Sequence, residues 1–335
     1  MGIDLPLIWA IIISFALMMY VIMDGFDLGI GVLFPFVHDR DDRDTMVNTV
    51  APVWDGNETW LVLGASALMA AFPLAYSVIL SALYLPIVLM LGGLIWRGVA
   101  FEFRFKADEA HKPFWDKAFA WGSYIATLSQ GVSLGSFING FEVTNGAYSG
   151  GGLDWLSPFS LFTGLGLVVA YALLGSTWLV MKTEGALQHR MKELAQSMTI
   201  SVLAMVAIVS LWTPLSHPAV AARWFSLPNI VFFAPVPIFV LLATWAILRT
   251  LKRNSHAAPF LFALFLLFLG YSGLAISLWP NIIPPSISIW DAAAPPQSMG
   301  FTLVGALFII PFILAYTAWS YYVFRGKVRT GEGYH

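Results

Sequence analysis

Residues 6–37 read PLIWAIIISFALMMYVIMDGFDLGIGVLFPFV, and this stretch decides the fold class. It stays apolar for longer than the ~20 residues that carry a helix across ~30 Å of hydrocarbon at ~1.5 Å per residue. Lipid offers the backbone no water, so its peptide groups must bond within the segment, which makes it helical. The only charges in it are Asp24 and Asp27. The rest of the chain has the same character: 59% of residues are hydrophobic and 11% charged, against about 25% charged in an ordinary soluble domain. Charge is confined to short segments between apolar runs, so length here counts spans and not domains. Strands of alternating polarity are missing from the pattern, which argues against a barrel. A net charge of −2 makes no electrostatic case for nucleic acid, and the absence of cysteine removes disulfides, thiolate metal sites and cysteine nucleophiles. Asp4 precedes the first run with no Lys or Arg before it, unlike the cationic start of a cleavable signal peptide, so a permanent first helix is expected.

Nine apolar segments follow one another: Pro6 to Val37, Trp60 to Phe72, Tyr76 to Phe101, Ala118 to Asn139, Phe159 to Met181, Met198 to Trp212, Asn229 to Leu248, Pro259 to Trp279, and Phe301 to Phe324. The second is short and is expected to recruit Trp54 to Glu58. Basic residues cluster after the odd-numbered segments: Arg40 and Arg43; Arg104, Lys106, Lys112 and Lys117; Lys182, Arg190 and Lys192; Arg249, Lys252 and Arg253; Arg325, Lys327 and Arg329. The alternate connections hold only Arg223, and Arg97 lies within the third segment. By the positive-inside rule the N-terminus is outside and the C-terminus inside. A missed or extra span would swap the side of every later connection and erase the bias. The expectation is an all-α polytopic membrane protein of about nine transmembrane helices, forming a single integral membrane domain over 1–335.

A carboxylate at the bilayer centre costs ~2.5 to 3.5 kcal/mol, so each must face a partner, a cavity or the interface. In Met23-Asp24-Gly25-Phe26-Asp27-Leu28-Gly29 the two aspartates share one helical face. In Trp54-Asp55-Gly56-Asn57-Glu58-Thr59-Trp60 the same spacing recurs with Asp55 and Glu58, and Asn57 adds a neutral hydrogen-bonding group. The functional reading is a proton-conducting or cation-coordinating track reached from the cytoplasm, with Asp24 and Asp55 on one path because a short inward loop joins their segments. The structural reading, strongest for Asp27 and Glu58, is solvation at headgroup depth or capping of a helix start.

Arg97 can pair with Glu102 or with an acid of the first helix; the plainer alternative is an arginine that snorkels from an inner helix end. Ser123, Thr127, Gln130, Ser133 and Ser136 form a polar stripe suited to interhelical hydrogen bonds. Trp290-Asp291 reads as an interfacial anchor in an outer loop. All six histidines, His38, His111, His189, His217, His256 and His335, fall in connections or at the terminus. A membrane haem needs axial ligands projecting into a bundle, so none is expected on this chain.

The segments MDGFDLG (Met23 to Gly29), NTVAPVWDGNETW (Asn48 to Trp60), RGVAFEFR (Arg97 to Arg104), LWPNIIPPS (Leu278 to Ser286), SIWDA (Ser288 to Ala292) and YTAWSYY (Tyr316 to Tyr322) resemble subunit II of the bd-type quinol oxidases, in particular the cyanide-insensitive branch. The resemblance covers the whole chain. It implies two four-helix bundles plus one peripheral helix, with helices 1–4 over about 6–140, helices 5–8 over about 159–280 and helix 9 over about 299–324. It implies a chain that is not catalytic in isolation. A related subunit I would carry the haem b and haem d groups and the quinol-oxidising loop. A structural quinone or lipid, small single-helix accessory subunits and a bacterial cell inner membrane location accompany the family. Asp55, with Asp24, would belong to a cytoplasmic proton path. Some members have Gln where this chain has Glu58, so Glu58 and Asp27 stand as secondary candidates, while Trp54, Asn57, Arg97 and Glu102 would be structural. A proton-coupled secondary transporter would also place acids inside helices, but would favour discontinuous helices and inverted repeats, and neither is seen. A purely structural assembly subunit would differ only in that its acids move no protons.

Overall fold

The computed structural model describes residues 3–329; His335 lies outside them. Helix α1 (Leu5–Leu33) starts where Asp4 accepts the Leu7 N–H at 3.1 Å, with Pro6 in its first turn. A 3-10 turn at Phe34–Phe36 leads to α2 (Arg40–Asn48), capped by Asp39. Thr49, Val50 and Val53 in the next turn are buried, so the chain folds back into the protein before α3 (Trp54–Ala71) returns beside α1. Then come α4 (Pro73–Ala82), α5 (Tyr84–Lys106), α6 (Lys112–Asn139), a hairpin of β1 (Val143–Thr144) and β2 (Ala147–Tyr148), α7 (Pro158–Lys182) and α8 (Gly185–Ser216). The chain ends through α9 (Pro218–Phe225), α10 (Asn229–Phe233), α11 (Pro235–Lys252), α12 (Ala258–Leu278), a second hairpin of β3 (Asn281–Ile283) and β4 (Ile287–Ser288), and α13 (Pro296–Val323).

Among the described residues seven helical stretches are long and apolar enough to cross a bilayer. The two remaining long helices, α3 and α6, carry the charged and polar residues that lower their hydropathy, and both pack along spanning neighbours. The molecule is a polytopic all-α membrane protein, with two small hairpins as the only sheet among the described residues. Helices α1, α3, α5 and α6 pack together; α7, α8, α11 and α12 pack together; α7 joins the two groups through α1 and α6. Helix α13 lies against α3 and α1, with only Met299 and Thr317 buried.

Small residues permit the closest approaches. Gly25 and Gly29, four apart on one face of α1, meet Tyr171 and Gly175 of α7, and a Cβ on Gly29 would collide with the Tyr171 carbonyl. Gly93 and Gly122 bring α5 onto α6 in the same way.

Several expected boundaries shift. The third segment is interrupted at Leu83, because Pro86 has no N–H to donate back to Ala82; α4 packs instead against the hairpin strands β2 and β3. The expected fifth-to-sixth connection is helical: His189, Arg190 and Lys192 lie on the first turns of α8, so His189 is on an exposed helix face and not in a loop. The seventh segment breaks between α10 and α11, and α9 occupies the preceding connection.

The basic connections collect at one end. Arg104 bridges Asp116 and Asp44, both at 2.7 Å, and Arg43 reaches Asp116 at 2.8 Å, with both guanidinium groups over the Phe34 ring. Lys192 reaches Asn254 and Lys327 reaches Thr183 at the same end. At the opposite end Trp9 bonds the Met299 carbonyl, Trp290 bonds Asp4, and Phe141 bonds the Pro284 carbonyl.

Candidate functional site: a buried acid and arginine cluster

The cluster forms where α1, α3 and α5 meet. Asp24, Asp27 and Arg97 are each 0% exposed. Arg97 Nη1 donates to Asp24 Oδ1 at 2.5 Å, and Arg97 Nη2 lies 3.6 Å from Glu58 Oε1. Asn57 Nδ2 donates to Asp27 Oδ2 at 2.7 Å and to the Met23 carbonyl at 3.3 Å, while Tyr321 of α13 donates to Asn57 Oδ1 at 2.8 Å. Buried charges in lipid need such partners, and here the pairing is made across helices.

Its depth follows from helix geometry. Asp24 lies nine residues before the end of α1 at Leu33, and Arg97 nine before the end of α5 at Lys106. Both are therefore ~14 Å inside the basic end. Asn57 and Glu58 reach that depth in the first turn of α3 because the preceding turn is itself buried.

A second polar group adjoins it. Tyr20 lies against Asp24. Gln130 Nε2 donates to Tyr20 Oη at 2.5 Å, and Tyr171 donates to Gln130 Oε1 at 3.1 Å. Within the expected stripe on α6, then, Gln130 bridges helices, whereas Ser123 bonds back to the Phe119 carbonyl in its own helix. Buried Asp24 Oδ2, Asp27 Oδ1, Arg97 Nε and Thr127 Oγ1 have no hydrogen-bond partner among the described residues. Such orphaned atoms are unusual in a packed core and mark groups that can exchange hydrogen bonds with water.

The structure corrects four readings. Asp27 is fully buried and not at headgroup depth. Arg97 does not snorkel: its alkyl stem and guanidinium stay inside, because two acids and the helix contact hold it there. Glu102, exposed and 3.9 Å from Lys106, takes no part. Asp55 lies on the exposed face of α3; the two segments do face each other, but the residue that meets α1 is Asn57, on Asp27, while Glu58 reaches Arg97 of α5. Trp54 stacks on Phe101 at 5.0 Å and serves as packing. The parts that Tyr20, Tyr171 and Tyr321 play are not legible in the sequence, even with Tyr321 inside the YTAWSYY motif, since a tyrosine in an apolar helix gives no sign of which way its hydroxyl points.

Outside the spans, burial with Asp39 beside it raises the Asp42 carboxyl above its usual range, opposed by Arg190. Among the described residues no group of three or more His, Cys, Asp and Glu is placed to hold a metal ion.

Residues 5–324 match the family profile described as cytochrome bd terminal oxidase subunit II. The chain is 28% identical to the cytochrome bd-I ubiquinol oxidase subunit 2 of Escherichia coli strain K12, covering 97% of this chain and 95% of that protein. It is 29% identical to the cytochrome bd ubiquinol oxidase subunit 2 of Bacillus subtilis strain 168, covering 97% of both. Its fold is similar to a chain of the bd oxidase from Geobacillus thermodenitrificans, with TM-score 0.76, 18% identity, and coverage of 94% of this chain and 98% of that one.

Proposed function

Because this chain belongs to the family of subunit II of cytochrome bd terminal oxidases, we propose that its buried acid and arginine cluster handles protons for the oxidase. The chain is a subunit of a bd-type quinol oxidase, an oxidoreductase of respiratory electron transport, and a multi-pass protein of a bacterial inner membrane. Nothing in this assignment supports the transporter reading.

In the reaction proposed for the complex, two quinols give two quinones and one dioxygen gives two waters. Four protons are consumed from the inner side and four released outside, so charge separates without a pump. The observation that carries the role of this chain is the constellation of Asp24, Asp27, Glu58 and Arg97, ~14 Å in from the basic end. That end is assigned to the cytoplasm by the positive-inside rule, and nine crossings in a four, four and one arrangement are the topology that the family resemblance implies. Asp55 has a different place. Left facing lipid, its carboxylate would cost ~2.5 to 3.5 kcal/mol, which favours a partner surface over that face of α3.

The partner implied by family membership is proposed to be a haem-bearing subunit I. Haem groups supply one-electron and dioxygen chemistry when bound. Among the described residues the histidines do not fit a haem site: His38, His111, His217 and His256 lie between helices and His189 on the exposed start of α8. A structural quinone or lipid and small accessory subunits are further assignments carried by the resemblance alone.

The test is proton uptake from the inner side during oxygen reduction, measured in the intact oxidase carrying Asp24→Asn or Asp55→Asn at normal haem content. Slowed uptake is expected; wild-type uptake and turnover in both would reduce the acids to structural residues.

A further inference from the structure

We propose that Tyr321 of the peripheral helix α13 is a positioning residue for Asp27, acting through the Asn57 amide. The proposal rests on the proton-handling reading above. An asparagine amide presents an acceptor edge and a donor edge, and which one faces a carboxylate depends on what holds the other. Here Tyr321 donates its hydroxyl hydrogen to Asn57 Oδ1 at 2.8 Å. That hydrogen bond commits the opposite edge, and Asn57 Nδ2 donates to Asp27 Oδ2 at 2.7 Å. The Met23 carbonyl also holds Asn57 Nδ2, at 3.3 Å, so loss of the phenol hydroxyl would not reverse the amide but would leave Asn57 Oδ1 without its donor and loosen the group that faces Asp27.

The placement of Tyr321 is itself secured. Its ring stands edge-on to Trp178 at 6.2 Å and to Phe26 at 6.5 Å, while Trp178 and Phe26 stack on each other at 4.2 Å. Three residues beyond it, Lys182 Nζ donates to the carbonyls of Phe324 and Gly326, and Val328 N–H donates to the Lys182 carbonyl. Tyrosine near the end of a spanning helix ordinarily anchors at the lipid interface. Tyr321, half-buried, instead turns its hydroxyl inward, from a helix whose buried residues are Met299 and Thr317. The charged and titratable groups around Asp27 are Asp24 on its own helix, Glu58 on α3, Arg97 on α5 and the Tyr321 phenol on α13. Of the contacts to its carboxylate, the one from Asn57 is the one that a peripheral helix controls.

The experiment compares quinol oxidase kinetics of the intact complex, per haem, for Tyr321→Phe, Asn57→Leu, Tyr321→Phe with Asn57→Leu, and Asp27→Asn. Phenylalanine keeps the ring contacts and removes only the hydroxyl. Tyr321→Phe is expected to lower kcat roughly fivefold, the worth of about one hydrogen bond, with KM for quinol unchanged. In the Asn57→Leu background it should cost nothing further, because residues acting as a unit are non-additive. A slow Asp27→Asn beside a wild-type Tyr321→Phe overturns the positioning role and leaves the proton reading intact. A full-sized Tyr321→Phe effect persisting without Asn57 also overturns it, since the hydroxyl would then act elsewhere. A wild-type Asp27→Asn overturns both readings at this residue.

Discussion

Arg97 and Asp24 form an ion pair at 2.5 Å with neither side chain exposed, joining α5 to α1 in the interior of a membrane protein. Such a pair is costly to break from one side, because the remaining charge stays buried and uncompensated. Arg97→Leu is therefore expected to destabilise the fold by about 3–5 kcal/mol and to leave little assembled oxidase. The double change Arg97→Leu with Asp24→Leu should recover a substantial part of the assembly, measured as haem per membrane protein and by thermal unfolding of the complex.

Asp55 differs, since it is exposed on α3 and, among the described residues, no salt bridge of 4.0 Å or less to it is seen. Asp55→Asn keeps size and most hydrogen bonding while removing the titratable proton. Normal assembly and haem content with oxygen reduction slowed on the order of 10²-fold, as for loss of a proton-transfer group, is the expected outcome at an oxygen electrode. Full activity would make Asp55 structural.

The two aspartates also make a cycle. A single track through both would make the double substitution Asp24→Asn with Asp55→Asn much milder than the product of the single effects. Among the described residues no hydrogen bond or ion pair joins them: Asp24 pairs with Arg97 inside and Asp55 is exposed, and the one group near both is the Glu58 carboxyl. The expected result is thus near-multiplicative turnover losses, as for independent sites. A double variant no slower than the slower single would restore the one-track reading.

Gly29 tests the seam between α1 and α7. A side chain there would strike the Tyr171 carbonyl and the backbone of Gly175, which cannot move aside as a side-chain tip can. Gly29→Ala should cost 1–3 kcal/mol or more by overpacking, and Gly29→Leu should abolish assembly. Yield and melting temperature of the purified complex are the measurements.

Expressed alone, the chain is expected to bind no haem, and in its native membrane to co-purify with a haem-bearing partner. Absorbance spectra and haem-to-protein ratios of the two preparations decide this. Stoichiometric haem on the isolated chain would mean that this subunit, and not a partner, ligates it.

The residue order alone determined the membrane class, the helical architecture and the alternation of basic connections, because lipid forces apolar length and internal hydrogen bonding on every span and these are local properties. It also located the acids to two short motifs, since an intramembrane carboxylate is conspicuous wherever it occurs. Which of them meet was decided only by the tertiary fold. The spacing of Asp55 and Glu58 matches that of Asp24 and Asp27, yet α3 leaves the largely buried turn at 49–53 with Asn57 against α1, Glu58 beside Arg97 of α5, and Asp55 exposed. The fate of Arg97 depended on acids that are 73 and 39 positions away in sequence. Tyr321 reaches Asn57 across 264 positions. Periodicity reports which residues share a face of one helix; it carries no information about the angle at which that face meets another, which close contacts such as Gly29 against Gly175 decide.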